Sequence, residues 1–554
     1  MKRNLLLLLV MIFSWTAFGQ TQDWVWAYSP AGAGNDEGRG IATDANGNVY
    51  SIGLFQSSTL TCGTYNLTCA GSSDIFLVKQ DPSGTVLWAK SFGGALLDEG
   101  YAVATDASNN VFITGTFGSP SMTIGTTTLN SNGNNDIFVA KFDAAGTFQW
   151  AKSAGGIEND AGYGLATDAS GDVYVTGMFG SPTIVFGATT LTNATPGGGN
   201  TDVFLVKYSS SGSIVWAKGF GGGDYDQGNA TAVDNSGNVY ITGFYGSTSI
   251  DFGGGPLTNY GSWDIFVAKY DASGSYVWSK KGGGAGIDKG NSLAIDGNDN
   301  IYVAGDFNSA KAAFGLDTAT NNNGAEYDPF LVKYNSSGVE QWVVSGSGSY
   351  IDKCSGVTVD DNNDIYITGT FESTTVVFGS TTLTNVNPGN GSDIYVAKYN
   401  NTGAAVWAKS IGGNDLDDSR GITSDPSGNI YLIGSYWSSS LTFGTTTLTN
   451  PGGGFDIWIA KINFYVGIND ISSFDNNILV YPNPFNSGAV IQLSKPLDNA
   501  SLIIYNMMGQ EVKRINVINE KEIILQRENL TTGLYYFNIT DKGVLKGNGK
   551  FIVE

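Results

Sequence analysis

Seven aspartates, Asp36, Asp98, Asp160, Asp226, Asp288, Asp352 and Asp417, recur at intervals of 62 to 66 residues, each behind a glycine-rich stretch. Seven carboxylates around one opening, in a chain without histidine, are the oxygen donors a hard cation such as calcium takes. The same residues have a local use. An aspartate beside a glycine-rich loop can cap it by accepting the loop's backbone N–H groups. Repetition in every copy favours the local use, and calcium is the one cofactor the pattern points to.

The absence of histidine excludes Ser-His-Asp and Cys-His nucleophiles and imidazole-held metals. Cys62 and Cys69 flank a short segment that reads as a hairpin, so a disulfide between them is expected in an oxidising compartment. Cys354 is then left over as a buried thiol. Asp44, Asn46 and Asn48 have the spacing of the start of a calcium loop, but no downstream glutamate follows and they coincide with a hairpin turn. Tryptophans recur at Trp88, Trp150, Trp216, Trp278, Trp342 and Trp407, in register with a strand, which predicts packing between repeats rather than a sugar platform. Trp437 and Trp263 break the repeat and are the better ligand candidates.

The elements that position these residues follow from self-alignment. A strand-like block begins at Asp74, Asp136, Asp202, Asp264, Asp328, Asp393 and Asp456, and a second block, with a tight turn, begins at Asp44, Asp106, Asp168, Asp234, Asp296, Asp360 and Asp425. Each repeat reads as four alternating strands, A to D, with an added hairpin between B and C. The last repeat lacks a D strand, and residues 23–28 supply an unpaired one at the other end. The expected fold is therefore all-β: a seven-bladed β-propeller of four-stranded blades, with the N-terminal strand closing the last blade. Abundant glycine (77 residues), 12% aromatics and only 14% charged residues fit short strands and tight turns.

Lys2 and Arg3, an apolar run from Leu5 to Phe13 and the small residues Ala17 and Gly19 form a signal peptide, with cleavage expected between Gly19 and Gln20. The apolar run is too short to span a bilayer, and no transmembrane span is expected elsewhere. The formal net charge of −22 makes nucleic acid a poor partner. That excess lies before residue 476; the remainder is nearly balanced, a charge break that marks a domain boundary. The expected division is 1–19 signal peptide, 20–463 propeller, 464–477 linker and 478–554 a small Ig-like β-sandwich.

The blocks at 168–177 and 202–207 resemble the SBBP-type β-propeller repeat, which implies the fold and says little of function. Residues 480–486, 502–512, 530–537 and 550–553 resemble the type A C-terminal sorting domain of the type IX (Por) secretion system of Bacteroidetes. The likeness is carried by Pro482, Asn483, Pro484, Gly509, Gly533, Tyr535 and Lys550. It implies handling by the type IX secretion machinery, removal of this domain, and release or attachment at the outer-membrane surface. The expected function is a monomeric secreted or cell-surface binding and adhesion module whose B-to-C hairpins contact a glycan or an extracellular protein ligand. The alternative is a hydrolase or lyase acting on polysaccharide through carboxylates at the channel mouth; no asymmetric carboxylate pair stands out, so an enzyme is the lesser reading.

Overall fold

The computed structural model describes residues 21–321, 326–465, 478–493, 500–506, 511–518, 520–541 and 544–554. The signal peptide with Gly19 and Gln20, linker residues 466–477 and Gly509 lie outside the described residues. What is described is all-β, and contacts divide the chain near Tyr465 into two compact units. Among the described residues no helix is long and apolar enough to cross a membrane.

The larger unit is built from repeated four-stranded antiparallel sheets. In the first, strand A is Asp36–Thr43, B is Val49–Phe55, C is Asp74–Gln80 and D is Val86–Phe92, paired in that order. B and C are buried along their whole length, which is why they read as near-continuous branched and aromatic runs. Five more sheets repeat the order, with A strands Asp98–Thr105, Asp160–Thr167, Asp226–Val233, Asp288–Ile295 and Asp352–Val359. A further sheet takes Asp417–Ser424, Ile430–Tyr436 and Asp456–Tyr465 from late in the chain and its outer strand, Thr21–Tyr28, from the beginning. The expected hairpin stands between B and C in each of these sheets.

The A strands pack side by side in chain order, and Asp417–Ser424 packs against Asp36–Thr43. Thr43 Oγ1 donates to Ser424 O across that junction at 2.8 Å, as Thr105 Oγ1 donates to Thr43 O one sheet further on. The D-strand tryptophans clamp neighbouring sheets. Trp150, Trp278 and Trp342 donate through Nε1 to Ser210 O, Ser336 O and Asn401 O in the following sheet's C–D turn, at 3.1 to 3.2 Å. Trp26 does this for the first sheet, donating to Pro82 O at 3.2 Å, and Lys461 Nζ reaches the same carbonyl at 3.2 Å. The indole of Trp26 lies against Gly84, whose φ of +89° and missing Cβ the close approach requires.

Cys62 and Cys69 are free thiols, contrary to the expected disulfide. The hairpin turns at Gly63, so Cys62 pairs with Tyr65 while Cys69 falls beside Ser58. Four residues of strand separate the two cysteines along the hairpin, roughly 13 Å, beyond the reach of a disulfide. Cys354 is buried, as expected.

In the C-terminal unit a three-stranded sheet (Leu479–Tyr481, Gly488–Gln492, Glu522–Gln526) and a four-stranded sheet (Glu511–Ile518, Ala500–Tyr505, Gly533–Asp541, Val544–Val553) share one core that includes Ile491, Leu502, Leu525, Phe537 and Phe551. Asn483 Oδ1 accepts the Ile552 N–H at 2.8 Å, which ties the segment holding Pro482 and Pro484 to the last strand. Gly533 begins its strand, Lys550 pairs with Tyr536, and Tyr535 stacks on Phe551 while its hydroxyl donates to Thr531 O at 2.8 Å.

Candidate functional site

Each A strand carries the same irregularity. In the first, Gly38 pairs with Gly53 and Gly40 with Ile52, so Arg39 has no partner on strand B. The register slips at the corresponding place in the other six, leaving Tyr101, Tyr163, Asn229, Asn291, Ser355 and Arg420 unpaired. A bulge bends its strand and re-aims the extra side chain. All seven bulge residues line a single pocket of about 560 Å³.

Side chains near the start of the A strands complete the pocket. Tyr225, Phe244 and Trp263 form an aromatic wall: Phe244 and Trp263 stack at 4.6 Å with 15° between their planes, and Tyr225 lies 5.8 Å from each. Tyr101 and Tyr163 meet at 4.8 Å. A row of polar groups is fixed by its own hydrogen bonds. Tyr225 OH donates to Gln227 Oε1 (2.8 Å), Gln227 Nε2 to Asn229 Oδ1 (2.6 Å), and Asn229 Nδ2 to Gly290 O (2.9 Å). Asn291 donates to Asp306 and, at 2.9 Å, to Cys354 O.

Charge is concentrated on one side. Lys289 is cross-strand to Asp306, and its Nζ lies 4.9 Å from the Trp263 ring centroid. Burial holds Lys289 below the usual lysine range; Asp306 opposes that shift and the like charge of Lys353 adds to it. Burial pushes the Asp306 carboxyl up to about 6, although Lys289 and Lys353 both favour its charged form. Arg39 bridges Glu37 at 2.9 Å and lies over the Tyr101 ring. The arrangement can hold a polar ligand that has an apolar face and a negative group.

The seven repeated aspartates do not line this pocket. Each is fully buried at the first position of its A strand and bonded within its own sheet. Asp36 accepts the backbone N–H groups of Gln56 and Ser57, both at 3.0 Å, and the Ser57 hydroxyl at 2.6 Å; that hydroxyl in turn accepts the N–H groups of Ala33 and Gly34 in the glycine-rich loop. Asp98, Asp160, Asp226, Asp288, Asp352 and Asp417 clasp Ser119, Ser181, Ser247, Ser309, Ser373 and Ser438 in the same way, always 21 residues on. With their oxygens already accepting hydrogen bonds they are loop clasps, which corrects the calcium-ring expectation. Among the described residues no group of three or more acidic or cysteine side chains could hold a metal ion. Asp44 is a turn residue, accepting the N–H groups of Asn46 and Asn48 at 2.9 Å.

Of the two non-repeating tryptophans, Trp263 is in the pocket wall, whereas Trp437 stands half-exposed against Phe455 and is not in the lining. The bulge residues were not singled out from the sequence. Their signal is that the third residue after each repeated aspartate differs (Arg, Tyr, Tyr, Asn, Asn, Ser, Arg) between well-matched neighbours.

Two family models match. Residues 479–554 match the secretion system C-terminal sorting domain, and residues 277–309 match the beta-propeller repeat, in agreement with the resemblances read from the sequence. The sorting domain indicates export by the type IX system to the cell surface or the extracellular space. Among curated proteins, an uncharacterized WD repeat-containing protein of Acanthamoeba polyphaga mimivirus is 22% identical over 509 residues, covering 76% of this chain and 36% of its own. The regulatory protein FlaEY of Caulobacter vibrioides is 25% identical over 387 residues, covering 66% of this chain and 38% of its own. The chain thus spans little more than a third of the length of the curated relatives it matches. Among solved structures, PorZ, a surface component of the type IX secretion system of Porphyromonas gingivalis, aligns over 93% of this chain and 81% of its own with 13% identity and a TM-score of 0.23.

Proposed function

We propose that this exported chain is a secreted or cell-surface binding module. In this reading residues 20–463 form a seven-bladed β-propeller, and residues 478–554 a small Ig-like sandwich that is removed after secretion. The monomeric propeller then takes a glycan or protein ligand into its axial pocket rather than onto the B-to-C hairpins. One observation carries the reading: the seven positions where a bulge re-aims a side chain, and where the repeats disagree in residue type, line one pocket. Symmetric positions serve the scaffold, and divergence confined to converging side chains is what a ligand site needs.

The enzymatic alternative has less support. Glycosidic hydrolysis uses two carboxyl groups, and the pocket lining has one, Asp306, which is hydrogen-bonded by Asn291 and acted on by Lys289 and Lys353. The test is an array of glycans and extracellular matrix proteins probed with the wild-type chain and with Asn229→Trp and Ser355→Trp, which fill the pocket. Signal lost in both variants, with unchanged melting temperature, supports the reading. Equal signal in all three removes the pocket from the account, and a blank array removes binding. Reducing ends released from a polysaccharide panel and abolished in Asp306→Asn favour the enzyme.

A further inference from the structure

The pocket is charged opposite to the chain that encloses it. The chain carries a formal net charge of −22, yet the lining has two arginines and two lysines against one carboxylate. The arginines are already engaged, Arg39 with Glu37 at 2.9 Å and Arg420 with Asp418 at 3.1 Å. The lysines are not: among the described residues neither Lys289 nor Lys353 forms a salt bridge. Both act on the buried carboxylate of Asp306, and Lys353 acts also on Glu372 in the adjoining cleft. Burial holds the Lys289 ammonium below the usual lysine range, and a ligand carboxylate beside it would offset that cost.

The neighbouring surfaces narrow the class of anion. Trp263, stacked on the buried Phe244, is the partly exposed aromatic ring beside Lys289, and an aromatic face packs against the C–H face of a sugar ring. Next to it, Gln227, Asn229 and Asn291 offer amide groups already oriented by one another, which suits adjacent hydroxyls. A pocket of about 560 Å³ holds a few sugar rings, whereas an extended peptide would need an open groove or a free sheet edge. Resting on the ligand-binding reading above, we propose that the occupant is an acidic glycan. A hexuronate ring lies on Trp263, and its carboxylate sits between Lys289 and Lys353.

The test is calorimetric titration of the full exported chain with oligomers of galacturonate, glucuronate, mannuronate and guluronate, their methyl esters, neutral oligomers of galactose, glucose and mannose, and polyglutamate. At least one uronate should bind, its methyl ester at least tenfold more weakly, with affinity falling between 50 and 500 mM salt. Lys353→Gln should weaken the acid about tenfold and leave the ester unchanged. Neutral sugars or methyl esters binding as well as the acids would overturn the charge assignment and leave a glycan module. Polyglutamate binding in place of the uronates would overturn the sugar. Heat from no member of the panel would overturn both this proposal and the glycan reading beneath it.

Discussion

Replacing Asp264 by asparagine should stabilise the protein, by an amount that grows as pH rises from about 4 to 7. Asp264 is fully buried at the start of a C strand, beside Asp288 at the start of the next A strand. Its Oδ2 accepts the Tyr260 N–H at 2.7 Å, while Oδ1 meets no donor among the described residues. A Cβ added at Gly283 would lie 2.5 Å from Asp264 Oδ1 and 3.1 Å from Asp288 Oδ2. The two oxygens are therefore less than about 6 Å apart, and at an effective dielectric near 20 two negative charges so placed repel by roughly 3 kcal/mol. Burial first, and Asp288 second among the raising causes, push Asp264 up to about 7. Against an ordinary 3.8, at about 1.4 kcal/mol per tenfold change in proton affinity, that corresponds to about 4 kcal/mol. Because the folded-state value is raised, the carboxyl contributes stability while protonated, below about pH 4. That contribution is lost as pH rises to 7 and stays lost above it. Asparagine keeps the acceptor for Tyr260 and carries no charge at any pH. Urea unfolding followed by tryptophan fluorescence should show Asp264→Asn within about 0.5 kcal/mol of wild type at pH 4 and about 2 to 3 kcal/mol more stable at pH 8. A variant equally destabilised at both pH values would show that the Asp264 carboxylate does not destabilise the fold.

Other expectations follow from the same contacts. Ser247→Ala removes the hydroxyl donor to Asp226, whose carboxyl burial already pushes up to about 7; it should cost about 2 kcal/mol at pH 8 and less at pH 5, read from paired denaturation curves. Trp26→Ala should cost about 2 kcal/mol through lost packing on Gly84 and the lost bond to Pro82, and an unchanged melting temperature would contradict the role given to the N-terminal strand. Thiol titration without reductant should count three free cysteines in the unfolded protein. In the folded state Cys62 should stay silent, its thiol being buried and pushed up to about 12. A count of one would restore the disulfide.

The four-stranded repeats, the added B-to-C hairpins and the N-terminal strand lying in the last sheet were legible because each leaves a periodic mark: an aspartate, a turn, a tryptophan, then a missing D strand matched by Trp24 and Trp26 at the other end. The loop-capping use of Asp36 and its counterparts was legible too, though its partner was not, since Ser57 lies 21 residues on and across a strand. The pocket was not legible. Strand alternation assigns side chains to two faces by parity, and one bulged residue breaks that parity silently, so Arg39 and Asn229 read as ordinary strand positions. Lys289 and Asp306 come together only through the register that follows the bulge. The disulfide expectation failed for a related reason. Spacing placed Cys62 and Cys69 on one hairpin, but the turn at Gly63 set a pairing in which they are not opposite.

A crystal structure of the protein with the tightest-binding oligosaccharide of the panel would locate the ligand directly. Density is expected ringed by Arg39, Tyr101, Tyr163, Asn229, Asn291, Ser355 and Arg420, with a ring against Trp263. Density on the B-to-C hairpins or at Trp437, with that enclosure empty, would contradict that placement.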